Sequence, residues 1–149
     1  MDRKDQIAKW YAVVPATFAA AAVAVAWLLV HSPAFGLALQ YGFSLVCHQR
    51  GERSFLMLGG SVAVCARCLG IYLGATLGML VRVPRELALR LLLGAAAINV
   101  LDWSAELAGS HGNWMLARFA LGLALGVTAA MLVTASSNVV SIPNRAQAI

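Results

Sequence analysis

A four-helix integral membrane bundle, with an additional interfacial helix in its first outer loop, is the all-α fold this sequence predicts. Three observations predict it. The 149 residues are 61% hydrophobic and only 11% charged, where soluble domains carry about 25% charged residues. The apolar residues gather into four runs, each near the ~20 residues that cross the hydrocarbon core as a helix. The lysines and arginines fall between the runs with a bias to one side. The length allows one membrane domain over residues 1–149.

The first run covers 13–30. Its length, and the membrane character of everything after it, favour a retained anchor over a cleaved signal peptide. The second covers 62–81, the third 87–108 with polar interruptions, and the fourth 115–134. Helices are the expected form because they satisfy their own backbone groups, which lipid cannot do. The loop between the first two runs, 31–61, contains an apolar stretch at 35–46 that is too short to span. As a helix it lies in the interface or dips into the bundle. Gln40, Ser44, Cys47 and His48 then form a polar stripe along it.

Charge sets the orientation. Arg3, Lys4, Lys9, Arg82, Arg85, Arg90 and Arg145 fall on one side of the runs. Arg50 and Arg53 fall in the loop on the other, with Arg67 and Arg118 just inside helix ends. The positive-inside rule then predicts a multi-pass protein of the inner (cell) membrane with both termini cytoplasmic. Loop 31–61 and the short loop 109–113 lie outside. Trp10 and Tyr11 on one side, and Trp27 and Trp114 on the other, suit the two interfaces. This placement accounts for the net charge of +5. With no basic run and no aromatic–basic platform, nothing in the chain argues for nucleic acid; the bilayer is the expected partner.

The three cysteines all crowd one membrane edge with a histidine, as Cys47-His48 and Cys65-x-x-Cys68. Three sulfurs and an imidazole suit a tetrahedral zinc site. With a neutral imidazole and three thiolates, such a site carries a net charge of −1, which Arg67, Arg50 or Arg53 would offset. Copper(I) also favours thiolates, so ligand type leaves both metals open. The same cysteines admit a redox reading. A CxxC at the outer start of the second span resembles the arrangement in quinone-linked disulfide-generating membrane proteins, with Arg67 lowering a thiol pKa. Those proteins need a second cysteine pair, and here only Cys47 is left. His31 and His111 read as ordinary interfacial residues.

Asn99, Asp102 and Glu106 share one face of the third run and climb toward the thiol end. Charges in a membrane segment face a partner or a cavity. Arg67 and Arg118 are the available partners, so Arg67, Asp102, Glu106 and Arg118 outline a polar pocket, a candidate cofactor-binding site. Gly70, Gly74 and Gly78, and likewise Gly122 and Gly126, recur every fourth residue. Such ridges permit close helix packing, within the chain or with a membrane-protein partner or a second copy.

At these residues the chain resembles an uncharacterised prokaryotic family of predicted membrane proteins. The shared pattern is Cys47-His48-Gln49, Arg53-Ser54-Phe55 and Cys65-Ala66-Arg67-Cys68-Leu69-Gly70-Ile71-Tyr72-Leu73-Gly74. Asn99-Val100-Leu101-Asp102 and Arg118-Phe119-Ala120-Leu121-Gly122 are similar too. Gly51 stands where the family has proline, which alters loop stiffness more than ligand chemistry. The resemblance implies the membrane fold and the site residues, and no reaction. The leading expectation is an extracytoplasmic Cys3His metal site, zinc first, that orders the mouth of a polar pocket. A quinone-linked thiol oxidoreductase using Cys65 and Cys68 is the second reading. A structural subunit of a larger membrane complex is the third.

Overall fold

The computed structural model describes residues 3–49, 51–110, 112 and 114–139. The side chains of Arg3, Lys4, Lys9 and Trp10, and residues Arg50, His111, Asn113 and Arg145, which entered the charge, interface and histidine arguments above, lie outside the described residues.

Five helices carry the architecture: α1 (Arg3–His31), α2 (Pro33–Phe43), α3 (Ala66–Gly78), α4 (Arg85–Leu107) and α5 (Met115–Val139). Among the described residues, three stretches are long and apolar enough to cross a membrane: Tyr11–His31, Arg85–Leu107 and Met115–Ser136. Large apolar side chains such as Leu93, Val100, Leu101 and Leu116 point outward along them. Outward apolar surface on that scale is the mark of a bilayer solvent rather than water.

α1 buries a face of small residues, Ala12, Ala19, Ala22 and Ala26, with Val25 beside them. Small side chains let other backbone come close, and two segments do. α2 starts at Pro33, where a missing N–H costs nothing, and runs back antiparallel along α1. Gly36 lies on the backbone of Leu29, where a Cβ would sit 2.7 Å from the Leu29 nitrogen. At the other end of α2, Phe43 meets Phe18 edge to face at 6.2 Å.

After α2 come a 3-10 turn at Gly51–Arg53 and a minimal hairpin, β1 (Leu56–Met57) and β2 (Gly60–Ser61). Its two-residue turn has φ of 53° at Leu58 and 85° at Gly59, as the twist of a tight hairpin requires. β2 lies on α1 with Gly60 against the Ala26 carbonyl.

Residues 62–64 belong to no helix or strand, bend at Ala63 and Val64, and are at most 2% exposed. Their backbone needs partners inside the protein. Val62 N–H donates to the Phe55 carbonyl at 2.9 Å, and Ala63 N–H to the Ala22 carbonyl at 3.1 Å. Ala22 lies nine residues before the end of α1, or about 13 Å along its axis. The chain therefore turns into α3 well inside the bundle. This is why α3 has 13 residues, roughly 20 Å, where the sequence led us to expect one helix over 62–81.

α3 and α5 run parallel and interlock. Gly70, Gly74 and Gly78 sit on the α5 carbonyls of Phe119, Leu123 and Val127, while Gly122 and Gly126 sit on those of Arg67 and Ile71. The glycine ridges pack on each other within one chain. α4 returns antiparallel to α5, tied by Asn99, whose Nδ2 donates to the carbonyls of Ala95 at 2.9 Å and Leu121 at 3.1 Å.

Candidate metal centre

The end of α2 and the start of α3 meet at the cysteines. Cys47 closes the last turn of α2, its N–H donating to the Phe43 carbonyl at 3.0 Å. It is 6% exposed. Cys65 is the N-cap of α3 in an extended conformation. Cys68 lies three residues on, hence on the same helical face. Cys65 N–H donates to Cys47 Sγ at 3.2 Å. The three sulfurs all lie within 4.8 Å of one another, and all three are free thiols.

That triangle has the size a metal needs. Tetrahedral zinc with Zn–S near 2.3 Å sets its sulfurs roughly 3.8 Å apart. The electrostatics favour a thiolate at Cys47. Hydrogen bonds from the Cys65 and then the Cys68 thiol hold its pKa well below the ordinary thiol range, against the opposing cost of burial. Backbone N–H groups of Cys65 and Gln49 act in the same direction. The first turn of α3 adds its partial positive charge.

His48 is exposed and lies outside the three-sulfur group, but it lines the same cavity. Next to it Gln49 takes a positive φ of 47° and its amide donates to the Gln40 carbonyl, pinning the loop to α2.

The cavity beside the thiols has a volume of about 340 Å³. Arg53, Arg67, Arg118 and Trp103 line it with the three cysteines. Ion pairs from α4 fix the arginines. Asp102 pairs with Arg67, and Glu106 pairs with Arg118 and, at 2.7 Å, with Arg53. The four residues expected to outline a polar pocket, Arg67, Asp102, Glu106 and Arg118, thus meet as two ion pairs across α3, α4 and α5. Sequence reasoning did not find that Arg53 joins Glu106, nor that Trp103 and Gln49 reach the cavity. Arg53 was marked by the Arg-Ser-Phe motif and as a charge that could offset the thiolates, neither of which pointed to Glu106. Gln49 closes the Cys-His-Gln motif, which was its signal, whereas Trp103 merely adjoins Asp102 with no pattern of its own. His31 stacks on Trp27 at 4.3 Å, away from this site.

A family model described as "Predicted membrane protein (DUF2085)" matches residues 47–132. That stretch begins at Cys47 and contains every residue of the cavity except Val46. The chain is 34% identical over 96 residues to an uncharacterized protein of Methanocaldococcus jannaschii, covering 58% of this chain and 60% of that protein. It is 35% identical over 95 residues to an uncharacterized protein of Methanothermobacter thermautotrophicus, covering 60% of this chain and 86% of that one. This chain therefore spans less than two thirds of the first relative's length. No solved structure matches.

Proposed function

The chain belongs to the DUF2085 family of predicted membrane proteins, and on that premise we propose that Cys47, Cys65 and Cys68 hold one metal ion, zinc ahead of copper(I). The observation that carries this reading is the approach of three sulfurs to within 4.8 Å of one another, one from the segment after α2 and two from the start of α3. A disulfide needs two sulfurs; a third converging on the same point suits a metal. His48 completes the set by turning inward, and otherwise water or a small ligand from the cavity takes the fourth position.

The ion staples the end of α2 to the start of α3 inside one membrane domain over residues 1–149. In this reading α2 dips into the bilayer as a re-entrant helix instead of lying flat on its surface. The segment 62–81 is the fourth crossing, made by an irregular, protein-buried lead and the short α3. Irregular backbone at membrane depth is tolerated where protein surrounds it. Both termini are cytoplasmic and the cavity opens to the outer side of the cell membrane.

The test is elemental analysis of the protein purified without added metal. About one ion per chain, lost in Cys68→Ser, is expected; a metal-free protein with three titratable thiols would overturn the proposal. The second reading, thiol oxidation, draws on the depressed pKa of Cys47 beside two neighbouring sulfurs. There Cys65 and Cys68 form a disulfide and pass two electrons and two protons to a quinone. Quinone-dependent loss of two thiols per chain would establish it.

A further inference from the structure

We infer that the cavity beside the thiols is an anion site for a phosphate-type oxyanion, held by Arg118, Arg67 and Arg53. Three guanidiniums line it, and the carboxylates that pair with them are Asp102 and Glu106. The Cys47 thiolate on the same wall brings the lining close to neutral, so the site rests on unmade guanidinium hydrogen bonds and not on net charge. Arg118 is only 5% exposed. Its Nε, and that of Arg67, are buried with no hydrogen-bond partner among the described residues. A buried donor on a charged group is costly to leave unmade. Guanidinium forks match tetrahedral oxyanions with two parallel N–H···O bonds, which a lone carboxylate at one nitrogen does not exhaust. The space, about 340 Å³, equals that of roughly ten waters, ample for one oxyanion and part of its hydration. The site uses the arginines and does not depend on a metal at the cysteines.

The oxyanion has two sources, free phosphate and a lipid headgroup. A separate apolar cleft of about 900 Å³ is lined by residues of α1, α3 and α5. Phe55, Leu69 and Phe119 line it, close in sequence to Arg53, Cys68 and Arg118. The Phe55 and Phe119 rings, 5.8 Å apart, stand at its edge. A lipid would lay its chain there with its phosphate among the arginines.

The test follows Trp103 fluorescence in detergent-purified protein titrated with inorganic phosphate. A parallel arm titrates protein in nanodiscs with phosphatidylglycerol against phosphatidylcholine. Saturable binding is expected in at least one arm: phosphate alone marks a free ion, phosphatidylglycerol alone a lipid. Arg118→Lys, which keeps the charge and removes the fork, should weaken binding about tenfold. Arg53→Gln, at a half-exposed position that tolerates change, should weaken it severalfold. Gly94→Ala, on an open face of α4 away from the cavity, should bind as the parent does. No saturable response in either arm overturns the proposal, as do unchanged affinities in both arginine variants. Binding lost in Cys68→Ser but kept in Arg118→Lys also overturns it, because the anion then sits on the metal. Metal content measured on the same samples decides the metal reading separately.

Discussion

The backbone N–H of Cys65 donates to the sulfur of Cys47 at 3.2 Å, across 18 positions of sequence. The first N–H groups of a helix lack intrahelical partners, and here one of them is spent on a thiol. The bond makes Cys47 part of the cap of α3, although it belongs to the end of α2. Cys47→Ser and Cys68→Ser should therefore each lower zinc affinity by more than 100-fold in chelator competition. His48→Ala, which leaves all three sulfurs, should lower it by about 10-fold, in the range typical of groups that tune a metal site. Equal losses in all three variants would show that the imidazole is as much a ligand as the thiols.

Acid should act on the same bond. A thiol whose pKa is lowered on folding stabilises the protein fully above its unfolded value, about 8.5. That contribution is lost as pH falls toward the lower folded value. Chelator-treated protein should therefore exceed Cys47→Ser in unfolding midpoint by a margin that grows from pH 5 to pH 9. Metal binding shifts the same way, because protons compete for the thiolates. A margin independent of pH would mean that Cys47 is an ordinary neutral thiol in the fold.

The ion pairs of α4 should differ sharply in worth. Arg118 is buried, and its loss leaves Glu106 with Arg53 as its ion-pair partner among the described residues. Removing one partner of a buried pair costs about 3–5 kcal/mol. Arg53 has a side chain 29% exposed, where ion pairs are worth about 0–1 kcal/mol. Unfolding of Arg118→Leu and Arg53→Leu in mixed micelles should separate by several-fold in free energy. Similar values would place Arg118 in water.

How much of this was legible in the sequence follows from the physics of each signal. The spans in α1, α4 and α5 were readable because hydropathy over twenty residues reports burial in lipid directly. The shortness of α3 was not. Residues 62–64 are apolar and β-branched in part, and such a run suits a buried extended strand as well as a helix. The site residues were readable as types, since three thiols near one membrane edge have few other uses. Their convergence depended on the turn after Phe43 and on Ala63 bonding to Ala22, which no local pattern encodes. That Arg67 and Arg118 meet Asp102 and Glu106 followed from depth and helical spacing, which did not say that Arg67 takes Asp102 and Arg118 takes Glu106; Arg53 with Glu106 did not follow, because a loop has no period.

The glycine ridges give a prediction with an internal control. A Cβ at Gly74 would collide with the Leu123 carbonyl and approach the Val127 nitrogen to 2.9 Å. Gly74→Ala should force α3 and α5 apart and cost about 1–3 kcal/mol, as overpacking does. Gly94, on α4, has nothing within 4 Å of its would-be Cβ. Gly94→Ala should be neutral or stabilising by up to about 1 kcal/mol through helix propensity. Separation of α3 from α5 should also loosen the metal, since α3 carries Cys65 and Cys68. Chelator release measured on both variants should therefore rise in Gly74→Ala alone. If both release metal like the parent, the packing of α3 on α5 does not set the position of the thiols.

The orientation of the bundle can be read with single reporters. Ser110 follows α4 and Pro84 precedes it, so the two lie at opposite ends of one spanning helix. The orientation proposed from the positive-inside bias predicts Ser110 outside and Pro84 in the cytoplasm. Ser110→Cys should react with a membrane-impermeant maleimide in intact cells above the background of the native thiols. Pro84→Cys should react only after the membrane is opened. The reverse pattern would turn the chain over and place the three thiols on the reducing side, where disulfide chemistry is disfavoured and thiolate–metal binding is not. Labelling thus fixes the compartment in which the metal and redox readings compete.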